Sequence, residues 1–172
     1  MFNLENNIFG AEHFKILNEA LYISEEITTD YFLFDNKRWM KNPYEILTLK
    51  DVPVNEHPDK ALAHLVRYTK DLKQKKSGSD DRAFYRICLN DYRILKKTFG
   101  GAREKLLPFL LYIMTHELVH IARFALFASH PVISTHKNEE RLTHDLTCEI
   151  LKPLTSIKSL AEVADGFRIG SH

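Results

Sequence analysis

Apolar residues at near-helical spacing run from Gly10 to Thr28, where Phe14, Leu17 and Leu21 share one stripe, and they predict a first amphipathic helix. From Tyr31 to Val54 aromatics mix with turn residues such as Asn42-Pro43, so this stretch reads as irregular, with one strand around Ile46 to Leu49. Asn55 to Pro58 is a turn. Beyond it, Ala61, Leu62, Leu65, Val66 and Tyr68 recur closely enough to predict a second helix reaching about Lys73, and Gln74 to Asp81 reads as a surface loop. The aromatic and β-branched content of Phe84 to Asn90 predicts a strand.

Phe99-Gly100-Gly101 then breaks the chain, and from Arg103 the pattern becomes strongly helical. Leu106, Leu110, Ile113, Leu118, Ile121 and Phe127 belong to a helix apolar nearly all round, ending before Ser129-His130-Pro131, which marks it as the buried one. Lys137 to Leu151 predicts another helix, and Ser156 to Ala164 a shorter one stopped by Gly166. The expected architecture is one helix-rich α+β domain over residues 1–172 with a small sheet, helical across 1–80 and built around a core at 84–151.

Composition narrows the class. With 172 residues, 44% hydrophobic and 27% charged, the chain suits one folded domain and neither disorder nor a disulfide knot. A net charge of +1 supplies no overall field toward nucleic acid or an anionic membrane, and the one dense basic run, Lys70 to Lys76, is closed by Asp80 and Asp81. Cys88 and Cys148 form at most one bridge and read as ordinary thiols. Met1 to Lys15 carries Glu5 and Glu12 and lacks the basic-then-apolar order of a secretory signal, so a cytoplasmic setting is expected. Leu107 to Ala128 is long enough to cross a bilayer. It carries His116, Glu117, His120 and Arg123, and the mean hydropathy of the chain is −0.29, so no membrane partner is expected.

Inside the most apolar helix stand His116, Glu117 and His120, an H-E-x-x-H motif. Residues four apart share a helical face with Cβ atoms about 5–6 Å apart, so the two imidazoles can grip one tetrahedral ion. Glu117 is rotated by about a hundred degrees, beside the ion, where it can take a proton from water. At this His and Glu content the spacing arises by chance in about 3% of shuffled chains, so spacing alone does not decide. Burial does, because three ionisable groups in a hydrophobic segment are costly unless paired or metal-bound.

A third ligand is sought on the next helix. With Leu142, Leu146 and Ile150 as its core stripe, His136, Glu140, Thr143, His144 and Thr147 fall on a neighbouring polar one, and Glu140 and His144 both can point at the histidines. Glu139, nearer the core stripe, competes. Arg123, one turn beyond His120, either stabilises an anion or pairs with an acid such as Glu140.

H-E-x-x-H on a helix, preceded by a strand and followed by a helix offering a glutamate, resembles the zincin metallopeptidases, in particular the gluzincin branch. The resemblance covers roughly Phe84 to Leu151, and Asn138-Glu139 is similar to the gluzincin Asn-Glu pair. Arg123 and Leu126 stand where the metzincin extension has glycine and histidine, which disfavours that branch. The resemblance implies a zincin-like fold, Zn²⁺ on His116 and His120, Glu117 as general base and Glu140 at a suitable separation for the third ligand, with Glu139 and His144 as alternatives. It also implies a zinc-dependent hydrolase acting on a peptide or protein substrate. Two other classes compete: a metal-binding module without turnover, and a ferritin-like di-iron carboxylate protein, since Glu117 and His120 also have E-x-x-H spacing.

Overall fold

Residues 7–69, 83–127 and 136–169 are described by a computed structural model. The basic run from Lys70, the loop at 74–81 and the helix stop at 129–131 lie outside them. Helix α1 (Ala11–Phe32) is followed by α2 (Asn36–Lys41), β1 (Tyr44–Thr48), a 3₁₀ turn at Val54–Glu56, β2 (Ala63–Thr69) and β3 (Ala83–Leu89). Helices α3 (Asp91–Lys97), α4 (Arg103–Phe127), α5 (His136–Leu151) and α6 (Leu160–Ile169) complete the order. The fold is helix-rich α+β, a single domain with one small sheet.

Three strands lie in the order β1-β3-β2, with β3 central, parallel to β1 and antiparallel to β2. Alternate residues Ala83, Tyr85, Ile87 and Leu89 of β3 are buried and join the core. The opposite face carries Arg86, whose guanidinium reaches Glu45 at 2.6 Å and Glu56 at 2.7 Å and so ties β1 to the turn before β2. The segment read as a second helix is strand β2. Its Leu65, Val66 and Tyr68 are partly buried in register with Ile87, Arg86 and Phe84, and pairing with β3 overrides a helical spacing that rested on few apolar positions.

Helix α1 runs a turn past Thr28, to a left-handed Leu33 at φ 50°. Its inward face includes Ala20, Ser24 and Thr28, all fully buried, and these small residues at fourfold spacing let α4 approach closely. The contact is polar as well as tight: Thr115 Oγ1 donates to Ser24 Oγ at 3.0 Å, and Ser24 donates to the Leu111 carbonyl.

Helix α3, unmarked in the hydrophobic pattern, starts where Asn90 accepts the Arg93 backbone N–H. Its buried Asp91 accepts from the backbone N–H groups of Phe9 at 2.9 Å and Leu49 at 3.2 Å, pinning two distant segments. Helix α6 starts later than Ser156 because Ser159 is left-handed at φ 67°, and it runs through Gly166 because Phe167 stacks on Tyr112 of α4 at 4.0 Å. That contact outweighs the cost of about 1 kcal/mol for a helical glycine. The long helix α4 is apolar and long enough to cross a bilayer, and 67% of that apolar stretch is buried inside the fold, chiefly against α1, α5 and α6.

The break before α4 needs glycine. Gly101 sits at φ +80°, and a Cβ there would lie 2.7 Å from Leu95 Cδ2 and 2.8 Å from His13 Nε2. Gly101→Ala is therefore expected to lower the unfolding free energy by about 1–3 kcal/mol in chemical denaturation. Gly100→Ala, at φ +95° but facing open space, should cost less. Equal midpoints for the two variants would discount the contact with Leu95 and His13.

Candidate metal centre

Because α4 is buried over most of its circumference, the polar residues at 112, 115, 116, 117 and 120 must find partners within the protein. Tyr112, His116 and His120 find them on α5, and Thr115 finds Ser24 on α1. His116 Nε2 lies 3.3 Å from Glu140 Oε2, and His120 Nε2 lies 3.0 Å from Glu140 Oε1. These three side chains converge with ligand atoms within 4.8 Å of one another, the one such group among the described residues.

The chemistry of this group suits a cation. Thr143 Oγ1 faces Nδ1 of His120 at 3.4 Å, so with Nδ1–H donating to it, the Nε2 lone pair of His120 points at a carboxylate oxygen. In that tautomer an ion shared by all three groups takes the place of the proton that Nε2–H donates to Glu140 in the other tautomer. Two nitrogens or oxygens bound to tetrahedral zinc at 2.0–2.1 Å are about 3.3 Å apart, close to both contacts seen here. The donor set of two imidazoles and one carboxylate thus fits Zn²⁺ in kind, with both histidine–carboxylate contacts near the tetrahedral edge. Nδ1 of His116 is buried with no partner among the described residues, so this ring is less firmly oriented than that of His120.

Electrostatics follow the same grouping. The histidine hydrogen bonds of His116 and then His120 hold the Glu140 carboxyl well below the usual carboxylate range, against the opposing effect of burial. Burial pushes the His120 imidazolium down, but its hydrogen bond to Glu140 and the charges of Glu117, Glu140 and Glu139 outweigh that and leave it raised. Glu117 is buried, at 7% exposure, and its negative charge is felt at His120 and Tyr112. It stands next to His116 on α4 and does not belong to the cluster of ligand atoms.

The other candidates sort cleanly. Glu139 is engaged by Arg123, whose Nε and Nη2 donate to its two oxygens at 2.8 and 3.1 Å. This pair fixes α5 against α4 one residue away from Glu140. Arg123 accordingly pairs with Glu139, not Glu140. Loss of that clamp in Arg123→Met is expected to weaken zinc binding by about 10–100-fold in a chelator competition, since outer partners of metal ligands act on this scale; unchanged affinity would leave the pair a purely structural one. His144 is held elsewhere: its Nδ1 meets the Tyr112 hydroxyl at 2.5 Å and its Nε2 lies 3.5 Å from Cys148 Sγ, so the structure does not bring it to the cluster. Cys148 and Cys88 form no disulfide, and burial pushes the Cys88 thiol up to about 11.

The proposed core stripe of α5 is corrected. Leu142 is 42% exposed, whereas Thr143, His144 and Thr147 are buried, because the polar stripe faces His116, His120 and Tyr112. Only Ile150 of the expected apolar set is buried, below the site. Two aromatic neighbours went unnoticed: Tyr112, which stands four residues before His116 and so on the same helix face, and Phe124, four after His120, whose ring stacks on that imidazole at 6.0 Å. The motif's own periodicity extended one turn each way points to both.

The ferritin-like alternative asks for an all-helical bundle and a second carboxylate–histidine pair. The chain has a three-stranded sheet and, among the described residues, a single cluster. No family model, curated protein or solved structure matches this chain.

Proposed function

We propose that this protein is a zinc-dependent hydrolase of the zincin type, a peptidase in which His116, His120 and Glu140 hold the ion and Glu117 is the general base. The observation that carries this reading is the convergence of both motif histidines on the Glu140 carboxylate, at 3.3 and 3.0 Å, with the motif's Glu117 buried in the same helix. Three protein ligands leave the fourth position open, which is the pattern of catalytic and not structural sites. A zinc ion bound there supplies Lewis acidity, polarising a carbonyl and lowering the pKa of water to about 7.

The chain's own residues do the rest. Glu117 accepts a proton from the water that attacks the peptide carbonyl and delivers it to the departing amine as the C–N bond breaks, so the carboxylate is regenerated and no proton is lost. Glu117 is buried in α4, next to the ligand His116 in the chain. Thr143 orients the His120 ring, and the Arg123–Glu139 pair holds α5 so that Glu140 meets both imidazoles.

Metal removal tests the reading. Dialysis of the full chain against a chelator should abolish hydrolysis of a mixed peptide substrate, and added Zn²⁺ should restore it. A chain that cleaves peptides equally well after its metal content has been driven to zero is not this enzyme.

A further inference from the structure

A second feature lies one aromatic ring away from the metal centre. A cavity of about 280 Å³ is lined by the cations Arg38, Lys41 and Arg67, with walls that include Phe34, Phe124 and Leu126, and no acidic residue lines it. Among the described residues, none of the three cations has a carboxylate within ion-pair distance. Arg86, Arg103 and Arg123 show the contrast, since each is matched by a glutamate. Arg38 and Lys41 occupy the last turn of α2, where positive charge suits the helix dipole. That accounts for two of them and not for Arg67, which comes from β2 and is aimed at the same space.

Three exposed like charges around one cavity, in a chain whose net charge is only +1, leave a local positive patch that an anionic guest would neutralise. Arg67 is also held in place: its guanidinium carbon lies 6.0 Å from the Tyr85 ring centre and 5.8 Å from that of Phe124. Phe124 in turn stacks on His120 at 6.0 Å. The guanidinium is thus at most about 12 Å from the His120 ring centre, a reach of about three to four residues of extended peptide.

We propose that this cavity binds a carboxylate of the peptide whose scissile bond lies at His116, His120 and Glu140, which makes the protein selective for peptides that carry a carboxylate near that bond. The inference rests on the peptidase reading for its substrate. The guanidinium fork of Arg67 is matched to a carboxylate, while Arg38 and Lys41 add charge at the rim. The carboxylate belongs either to an acidic side chain or to a chain terminus; both have the same chemistry.

Binding to the zinc-loaded full chain tests it, using N-acetylated hexapeptides of Gln and Ala. One set has a C-terminal amide and a Glu walked through each position in place of Gln, a second keeps Gln with a free C-terminal carboxylate, and a third is wholly uncharged. Fluorescence of Trp39, the single tryptophan, reports occupancy, since its ring packs on Phe34 at 4.5 Å. At least one Glu peptide, or the free-carboxylate peptide, is expected to bind about tenfold or more tightly than the uncharged one. Which set shows the preference distinguishes side chain from terminus. Arg67→Gln should erase the preference while leaving zinc content and the affinity for the uncharged peptide unchanged. Lys41→Gln, at an exposed position that carries no fold risk, should reduce it about threefold.

Equal binding of all sets, or binding of none, overturns the cavity's role. Hydrolysis without charge preference removes this inference and keeps the peptidase. Charge-selective binding without hydrolysis keeps the cavity and removes the peptidase.

Discussion

His120→Ala is expected to strip the chain of zinc. Of the two motif histidines His120 is the better anchored, facing Thr143 through Nδ1 at 3.4 Å and Glu140 through Nε2 at 3.0 Å. Outer partners of metal ligands already cost about 10–100-fold, so loss of a ligand itself should lower affinity by more than about 100-fold. Metal content after dialysis against buffered zinc reads the effect directly, with circular dichroism as the check that α4 and α5 persist. His144→Ala is the matched control, because that ring is occupied by Tyr112 and Cys148. The expected pattern is zinc lost in the first variant and kept in the second. Full zinc retention in a folded His120→Ala protein would dismiss the site, and zinc loss in His144→Ala alone would move the third ligand to α5's next turn.

The second large effect concerns Glu117. Its replacement by glutamine keeps size and burial but leaves an amide that cannot accept the proton of the attacking water. Hydrolysis should fall by about 10²–10⁴-fold, the range attributed to a positioned general base. Zinc content should stay at the wild-type level, because Glu117 does not belong to the group of converging ligand atoms. The two readouts separate roles: activity lost with metal kept marks a base, whereas both lost together would make Glu117 a ligand or a structural carboxylate. Unchanged hydrolysis would remove it from the chemistry altogether.

Legibility differed from element to element for physical reasons. The H-E-x-x-H motif sits within twenty-five residues of one helix, so its geometry follows from the helical rise alone. Strand β3 was equally plain from the aromatic and β-branched content of Phe84 to Asn90, and the structure adds that Ala83, Tyr85, Ile87 and Leu89 alternate inward on a central strand. Strand β2 was not, because only pairing with β3 tells Leu65, Val66 and Tyr68 which way to point. Short α2 and α3 rest on single side-chain caps, Asp35 and Asn90, which leave almost no periodic trace.

On α5 the usual inference from hydrophobicity ran backwards. Leucines at 142 and 146 suggested the buried face, yet the face that packs on α4 near the site is Thr143, His144 and Thr147. A helix that lines a polar centre is buried through its polar residues, and no single-helix pattern shows what lies opposite.

The amino-acid order by itself determined the long apolar helix and the two imidazoles that share its face, because both depend only on local helical geometry. Three-dimensional packing decided that Glu140 meets those imidazoles, that Glu139 goes to Arg123 and that His144 turns to Tyr112. Neighbouring residues on one helix differ in direction by about a hundred degrees, so the angle and depth at which α5 lies on α4 select the partner of each. Arg67 reached the same neighbourhood only because strand pairing carried β2 there.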